Sequence, residues 1–217
     1  MQNRYRAEGS EAEFEPGSRR RVLRNLLGIR SVREMARRES EALLAATQRL
    51  IDDTRVDQRF AAHDVCRMHR IWLSDIYRWA GEYRNVNMTK DGFMFAAAEQ
   101  VPRLMREFER GPLRDYTPCR FATAGEQAHA LAVVHAELIL IHPFREGNGR
   151  CARLLATLMG LQAGLPALDF SGVRGDERRR YIAAIHAGMD RNYEPMTAVF
   201  GRIIARTLRA HARVRRG

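Results

Sequence analysis

From Phe121 to Ile141 the chain is apolar almost all the way round a helix. Leu131, Val134, Leu138 and Ile141 recur at helical spacing, and alanine, valine, isoleucine and leucine fill most positions between them. A helix without a polar face has to be buried on every side. The rest of the chain must wrap it, and 217 residues are enough to build a core. The expectation is a mainly α fold, a helical bundle around this central buried helix. His129 and His135 on it read as hydrogen-bonded core histidines rather than metal ligands.

Pro143 sets where that helix stops, because proline disfavours helix at the residue before it. The stretch that follows is Ile141-His142-Pro143-Phe144-Arg145-Glu146-Gly147-Asn148-Gly149-Arg150-Cys151-Ala152-Arg153. Gly147 and Gly149 let backbone approach a ligand closely. A new helix is predicted from Asn148 or Gly149 through Leu158, and its N-terminus offers N–H groups to an anion, phosphate above all. Arg150 and Arg153, three apart, share one face of it. Glu146 supplies the hard oxygen that Mg2+ prefers, and His142 can take up a proton near neutral pH. Together these residues suit a nucleoside triphosphate and Mg2+ with a general base beside them.

The stretch resembles the signature of the Fic family, His-Pro-Phe-x-Asp/Glu-Gly-Asn-Gly-Arg-x-x-Arg, at every position. Fic proteins mostly move AMP from ATP onto a hydroxyl of another protein. The resemblance implies that His142 deprotonates that hydroxyl, Glu146 holds Mg2+ and Phe144 anchors the loop. It assigns Gly147, Asn148 and Gly149 to an anion nest, and Arg150 and Arg153 to the β- and γ-phosphates. Gly149 separates the chain from the related Doc proteins, which carry lysine there and phosphorylate.

Residues 1–30 read as an N-terminal arm, and 31–217 as the Fic-like domain with its catalytic loop at 142–153. In the arm, Val22 to Ile29 is an apolar patch able to dock it. Ser31 with Glu34 predicts a capping box, opening a helix that turns Met35, Leu43, Leu44 and Leu50 inward and ends before Asp52. A second helix is predicted from about Ala61 to Ile76. His63, Cys66 and His69 on it rotate too far apart to share a metal. Asp75-Ile76-Tyr77-Arg78-Trp79-Ala80-Gly81-Glu82-Tyr83-Arg84 is similar to a Fic segment at this distance ahead of the signature. Alternation from Val86, with a turn at Asp91-Gly92, predicts a short β-hairpin over about 86–95. In Fic proteins a hairpin here is a flap over the active site that holds the target as an added strand. Ala96 to Arg110 should be helical and end at Gly111-Pro112. Asp176 should cap a helix carrying Tyr181, Ile182 and Ile185, and Pro195 should sit in the first turn of the last one.

Composition narrows the remaining readings. The formal net charge is +11, with a single lysine, Lys90, among 37 basic side chains. Such a balance fits a polyanion partner and equally fits an arginine habit of the source genome. Arg202, Arg206, Arg209 and Arg213 form a stripe on the last helix, which reads first as a solvated face, so direct contact with nucleic acid is not expected. Three cysteines make no disulfide framework, and no segment reads as a membrane span or secretory signal, so a cytoplasmic enzyme is expected.

Gly147, Gly149 and Ala152 with Asp169 downstream also satisfy a loose dinucleotide fingerprint, the mark of an oxidoreductase. That reading needs a strand at Glu137 to Ile141, where the pattern is helical. A non-catalytic DNA-binding module leaves the signature unexplained. In many Fic proteins an inhibitory helix carries Ser/Thr-x-x-x-Glu-Gly/Asn, but here no serine or threonine has glutamate four residues on. The resemblance to the toxin-like subgroup, carried by the arm and Asn25-Leu26-Leu27-Gly28-Ile29, implies a separate small antitoxin and a type II topoisomerase subunit as candidate target.

Overall fold

The computed structural model describes residues 6–7, 13–90 and 92–214. They fold as two compact units interleaved along the chain. The first comprises Met1–Asp53, Ala62–Glu107 and Ile141–Cys151, the second Thr54–Ala61, Phe108–Leu140 and Ala152–Gly217.

The first unit carries α1 (Val32–Asp53), α2 (Ala62–Leu73) and most of α3 (Val101–Phe108), with a small antiparallel sheet. The Ser31 hydroxyl accepts the Glu34 amide at 3.4 Å and opens α1, one half of the predicted box. Met35 and Leu50 face inward, whereas Leu44 is 75% exposed. Leu43 takes the packing contact, and its neighbour, about 100° further round the helix, turns to solvent.

Ahead of α1 the part of the arm from Val22 to Ile29 is docked. The Asn25 carboxamide bonds the Leu23 and Ile29 carbonyls and the Leu27 and Ile29 amides, and the Leu26 amide reaches the Ile76 carbonyl at 2.8 Å. Val22 and Ile29 are buried with Met35, Ala46, Trp72, Leu73, Ile76 and Tyr77 in one apolar cluster. Leu26 and Leu27, counted in the docking patch, stay largely exposed.

The hairpin is present as β2 (Met88–Lys90) and β3 (Phe93–Met94), paired Thr89 with Met94 and Lys90 with Phe93. A third strand, β1 (Arg6–Ala7), adds antiparallel to β2's other edge, Arg6 opposite Thr89 and Ala7 opposite Met88. Nothing in the sequence marks β1 as a strand. A two-stranded ribbon is marginal alone, and β2 gains a second ladder. Val86, Met88 and Phe95 are buried beneath. Asp91, in the predicted turn, lies outside the described residues.

The second unit is helical. Thr123 and Glu126 exchange hydrogen bonds as a capping box at the start of α5 (Ala124–Ile141). Ala130, Leu131, Val134, Ala136 and Leu138 are buried on all its sides, as the apolar pattern requires. Gly111-Pro112 does not end the preceding helix. The chain passes through them as a widened turn, Glu109–Leu113, into α4 (Arg114–Tyr116). A turn closing over five residues leaves out a bond that Pro112 has no N–H to make.

Helix α6 (Asn148–Gln162) starts where the signature predicts. Helices α7 (Asp176–Ala187) and α8 (Glu194–Val214) follow. The α7 cap is Gly175, at φ +55°; Asp176 sits in the first turn and pairs with Arg179. Ile182, expected inward, is 39% exposed. On α8, Pro195 is in the first turn, and Val199, Phe200, Ile203 and Ile204 are buried. Arg202 of the arginine stripe pairs with Glu177 at 2.7 Å. No described helix is long and apolar enough to cross a membrane.

Candidate active site

The site is built where α5 ends. His142 leaves the helix at φ +53°, a left-handed conformation that non-glycine residues seldom adopt. Pro143 bars it from the right-handed region, and Arg84 holds it in place. The Arg84 guanidinium donates to the His142 carbonyl at 2.7 Å, the Val86 carbonyl at 2.7 Å and the Ala96 carbonyl at 2.6 Å. Its amide donates to the Pro143 carbonyl at 2.8 Å. One buried cation thus ties both roots of the hairpin to the start of the signature loop. The His142 ring stacks on Phe95, centroids 3.7 Å apart and 22° from parallel.

The loop's other anchor is aromatic. Phe144 is fully buried and stacks on His69 at 3.9 Å. His69 Nδ1 accepts the Gly81 amide at 2.8 Å, which leaves Nε2–H to donate to the Glu146 carbonyl at 3.0 Å. Burial, the main cause, pushes the His69 pKa down from 6.5 to about 4, so the ring is neutral and its tautomer fixed. Asn148, 1% exposed, turns its carboxamide back onto Phe144, accepting its amide at 2.8 Å and donating to its carbonyl at 2.7 Å. Its side chain closes the loop, and its backbone opens α6.

Gly147 has φ +84°, and a Cβ there would stand 2.6 Å from the Trp72 ring. Gly149 is the opposite case, with nothing within 4 Å of an added Cβ. Glu146 Oε1 accepts the Gly147 amide at 2.9 Å and lies 3.5 Å from Arg150. Arg150 sits over Trp72, 4.5 Å from the ring centre, and pairs with Glu39 at 2.8 Å. In the second unit, Arg153 follows on α6, three residues past Arg150. Its charge is felt by His135, whose pKa burial lowers to about 3, and by Tyr181, which burial raises to about 12. His135 is hydrogen-bonded to the Ala152 carbonyl at 3.2 Å and the Tyr181 hydroxyl at 2.6 Å, a satisfied core histidine.

The structure thus brings His142, Glu146, Gly147, Asn148, Gly149 and Arg150 onto one loop and helix start. It adds Glu39, His69, Trp72 and Arg84, to which sequence reasoning gave no role at the site, and Phe95, which it read only as the end of the flap hairpin. The segment ending in Arg84 stood out in the sequence, and His69 stood out as part of a rejected metal pattern. His63 is exposed, Cys66 half-buried and His69 buried, and no metal-binding cluster of His, Cys, Asp or Glu forms among the described residues. Cys151 is buried, its thiol 3.8 Å from the Val65 carbonyl and pushed up in pKa by burial.

Residues 59–159 match the Fic/DOC family. The chain is 30% identical to the probable protein adenylyltransferase y4lH of Sinorhizobium fredii over 84% of its own length and 91% of that protein. It is 29% identical to the protein adenylyltransferase VbhT of Bartonella schoenbuchensis over 83% of its own length, but spans only 37% of that protein. The crystal structure of the N-terminal Fic domain of a putative cell filamentation protein from Bartonella quintana, with bound ADP, matches at a TM-score of 0.71 and 25% identity, covering 88% of this chain and 95% of that one. With the signature loop built as described and relatives of this likeness, the chain belongs to the Fic/DOC family.

Proposed function

We propose that this chain is a protein adenylyltransferase that transfers AMP from ATP to a serine, threonine or tyrosine hydroxyl of another protein. The observation that carries the reading is a single loop with an imidazole at one end and, six residues on, a helix N-terminus flanked by Glu146 and Arg150. His142 takes the proton of the attacking hydroxyl. The hydroxyl oxygen bonds to the α-phosphorus as the bond from that phosphorus to its leaving oxygen breaks, and pyrophosphate departs. The N–H groups at the start of α6, with open space at the Cβ position of Gly149, take the developing charge. Arg150 and Arg153 hold the outer phosphates.

Mg2+ at a nucleotide site asks a protein for only one or two carboxylates, and the partly exposed Glu146 beside the helix start would hold it. When bound, the ion would neutralise phosphate charge. The neutral His69 and the inward Asn148 carboxamide keep the loop in shape without entering the reaction.

Names of relatives support AMP transfer, and the ADP-bound Bartonella domain supports an adenine nucleotide. We further propose, on the toxin-like arm and the missing Ser/Thr-x-x-x-Glu pattern, restraint by a separate small antitoxin, a cytoplasmic site of action and a type II topoisomerase subunit as target. Incubation with labelled ATP and a bacterial lysate tests the activity: label passes to protein with the wild-type chain and not with His142→Ala. Transfer by His142→Ala at the wild-type rate rejects the role of His142. Co-purification of a small protein from the native source tests the restraint.

A further inference from the structure

One buried carboxylate outside the signature reaches into the site. Glu39 sits about two turns into α1 and is 8% exposed. Tyr77 donates its hydroxyl to Glu39 Oε1 at 2.7 Å, and Arg150 reaches Oε2 at 2.8 Å. The Trp72 indole N–H donates to the Glu39 backbone carbonyl at 2.9 Å. Tyr77 and Trp72 are each 2% exposed, so Glu39 is held inside a packed core at its backbone by Trp72 and at one carboxylate oxygen by Tyr77, with the other oxygen on Arg150. It has no room to follow a guanidinium that moves.

Arg150 therefore stands between two carboxylates of unequal hold. The same terminal nitrogen is 2.8 Å from Glu39 and 3.5 Å from Glu146, four residues back in the loop. Its face is pinned over Trp72 at 4.5 Å. A guanidinium carries five N–H donors in a fixed fork, and engaging one nitrogen leaves Nε and the other terminal nitrogen to point elsewhere. If Glu39 did not hold it, the nearest carboxylate would be Glu146, and the pair would close on itself.

We propose that Glu39 is the positioning residue of this site: it draws Arg150 away from Glu146, so that the guanidinium stays open to phosphate and the Glu146 carboxylate stays open to a divalent cation. The inference rests on the nucleotide-site reading above, and it assigns Glu39 no contact with substrate.

The test is equilibrium binding of a non-hydrolysable ATP analogue, measured by calorimetry across a Mg2+ titration, for the wild type, Glu39→Gln, Glu39→Asp and Tyr77→Phe. Glu39→Gln keeps the shape and removes the charge. It is expected to weaken analogue binding about tenfold or more and to raise the Mg2+ concentration that gives half-maximal binding. Glu39→Asp recovers part of both. Tyr77→Phe, which disturbs the same core but leaves the ion pair, leaves the Mg2+ midpoint where it is. Thermal unfolding of each variant gives the folded fraction, and where Glu39→Gln does not fold, Glu39→Asp against Tyr77→Phe carries the comparison. An unchanged Mg2+ midpoint in folded Glu39→Gln, or tighter analogue binding, overturns the proposal. Absence of analogue binding by the wild type overturns the nucleotide-site reading as well.

Discussion

The imidazole of His142 lies on the ring of Phe95, 3.7 Å between centroids, so the proposed base and the end of the hairpin share one stack. Phe95→Leu keeps the apolar volume and loses the flat face. Transfer is expected to fall by about 100-fold, the scale of a small misplacement at a reacting group, with analogue binding unchanged. Single-turnover rates beside calorimetric affinities check this, and a loss of affinity equal to the loss of rate would count against the stack as an orienting device.

Arg84 should behave differently. Its guanidinium serves the carbonyls of His142, Val86 and Ala96 from a position 2% exposed. Lysine cannot reach three acceptors in that geometry. Arg84→Lys is expected to cost about 3 kcal/mol of stability, since buried carbonyls lose partners, and to slow transfer in the fraction that remains folded. Denaturant unfolding measures the first effect and transfer per folded molecule the second.

Gly147→Ala places a methyl 2.6 Å from Trp72 at φ +84°. Backbone strain alone costs about 1–3 kcal/mol, and Trp72 is the surface on which Arg150 rests. Both analogue binding and transfer should be lost. Gly149→Ala, with open space around its Cβ, should leave the unfolding temperature near the wild-type value. A pair of melting curves decides whether the two glycines differ in this way.

Acid should loosen the fold through its buried histidines. His69 is held near a pKa of about 4 and His135 near about 3, both below the ordinary 6.5, chiefly by burial. Between those values and 6.5 the unfolded chain binds more protons than the folded one. The stability from keeping these rings neutral is therefore complete above about pH 6.5 and lost as pH falls toward 4. For His69 the loss amounts to about 3 kcal/mol. Unfolding free energies of wild type and His69→Gln at pH 7 and 4.5 check this, the variant showing the shallower slope.

The fold was legible where periodicity is dense and punctuation strong. The apolar run to Ile141 and the proline after it located α5 and its end, and the signature located the start of α6. What sequence could not show are contacts between segments far apart in the chain. Glu39 looks like any acidic residue of a charged helix until Tyr77 and Arg150 close on it. His69 looked like a fragment of a metal pattern, because a helix face says nothing of a loop packed against it from 77 residues away. Arg84 was visible as the end of a family segment, but its role needs the positions of three carbonyls. The strand at Arg6–Ala7 carries no apolar alternation, because backbone pairing with β2 alone makes it a strand.

That short strand changes what the hairpin offers to other proteins. Among the described residues, one rim of the sheet is taken by the chain's own N-terminal segment, and the rim left without a partner strand is that of β3, where Met94 projects 74% exposed. For an extended visitor seeking main-chain hydrogen bonds, that rim is the one no strand of this chain takes among the described residues. At the other it meets a tethered rival, whose local concentration no dilution of the protein can lower.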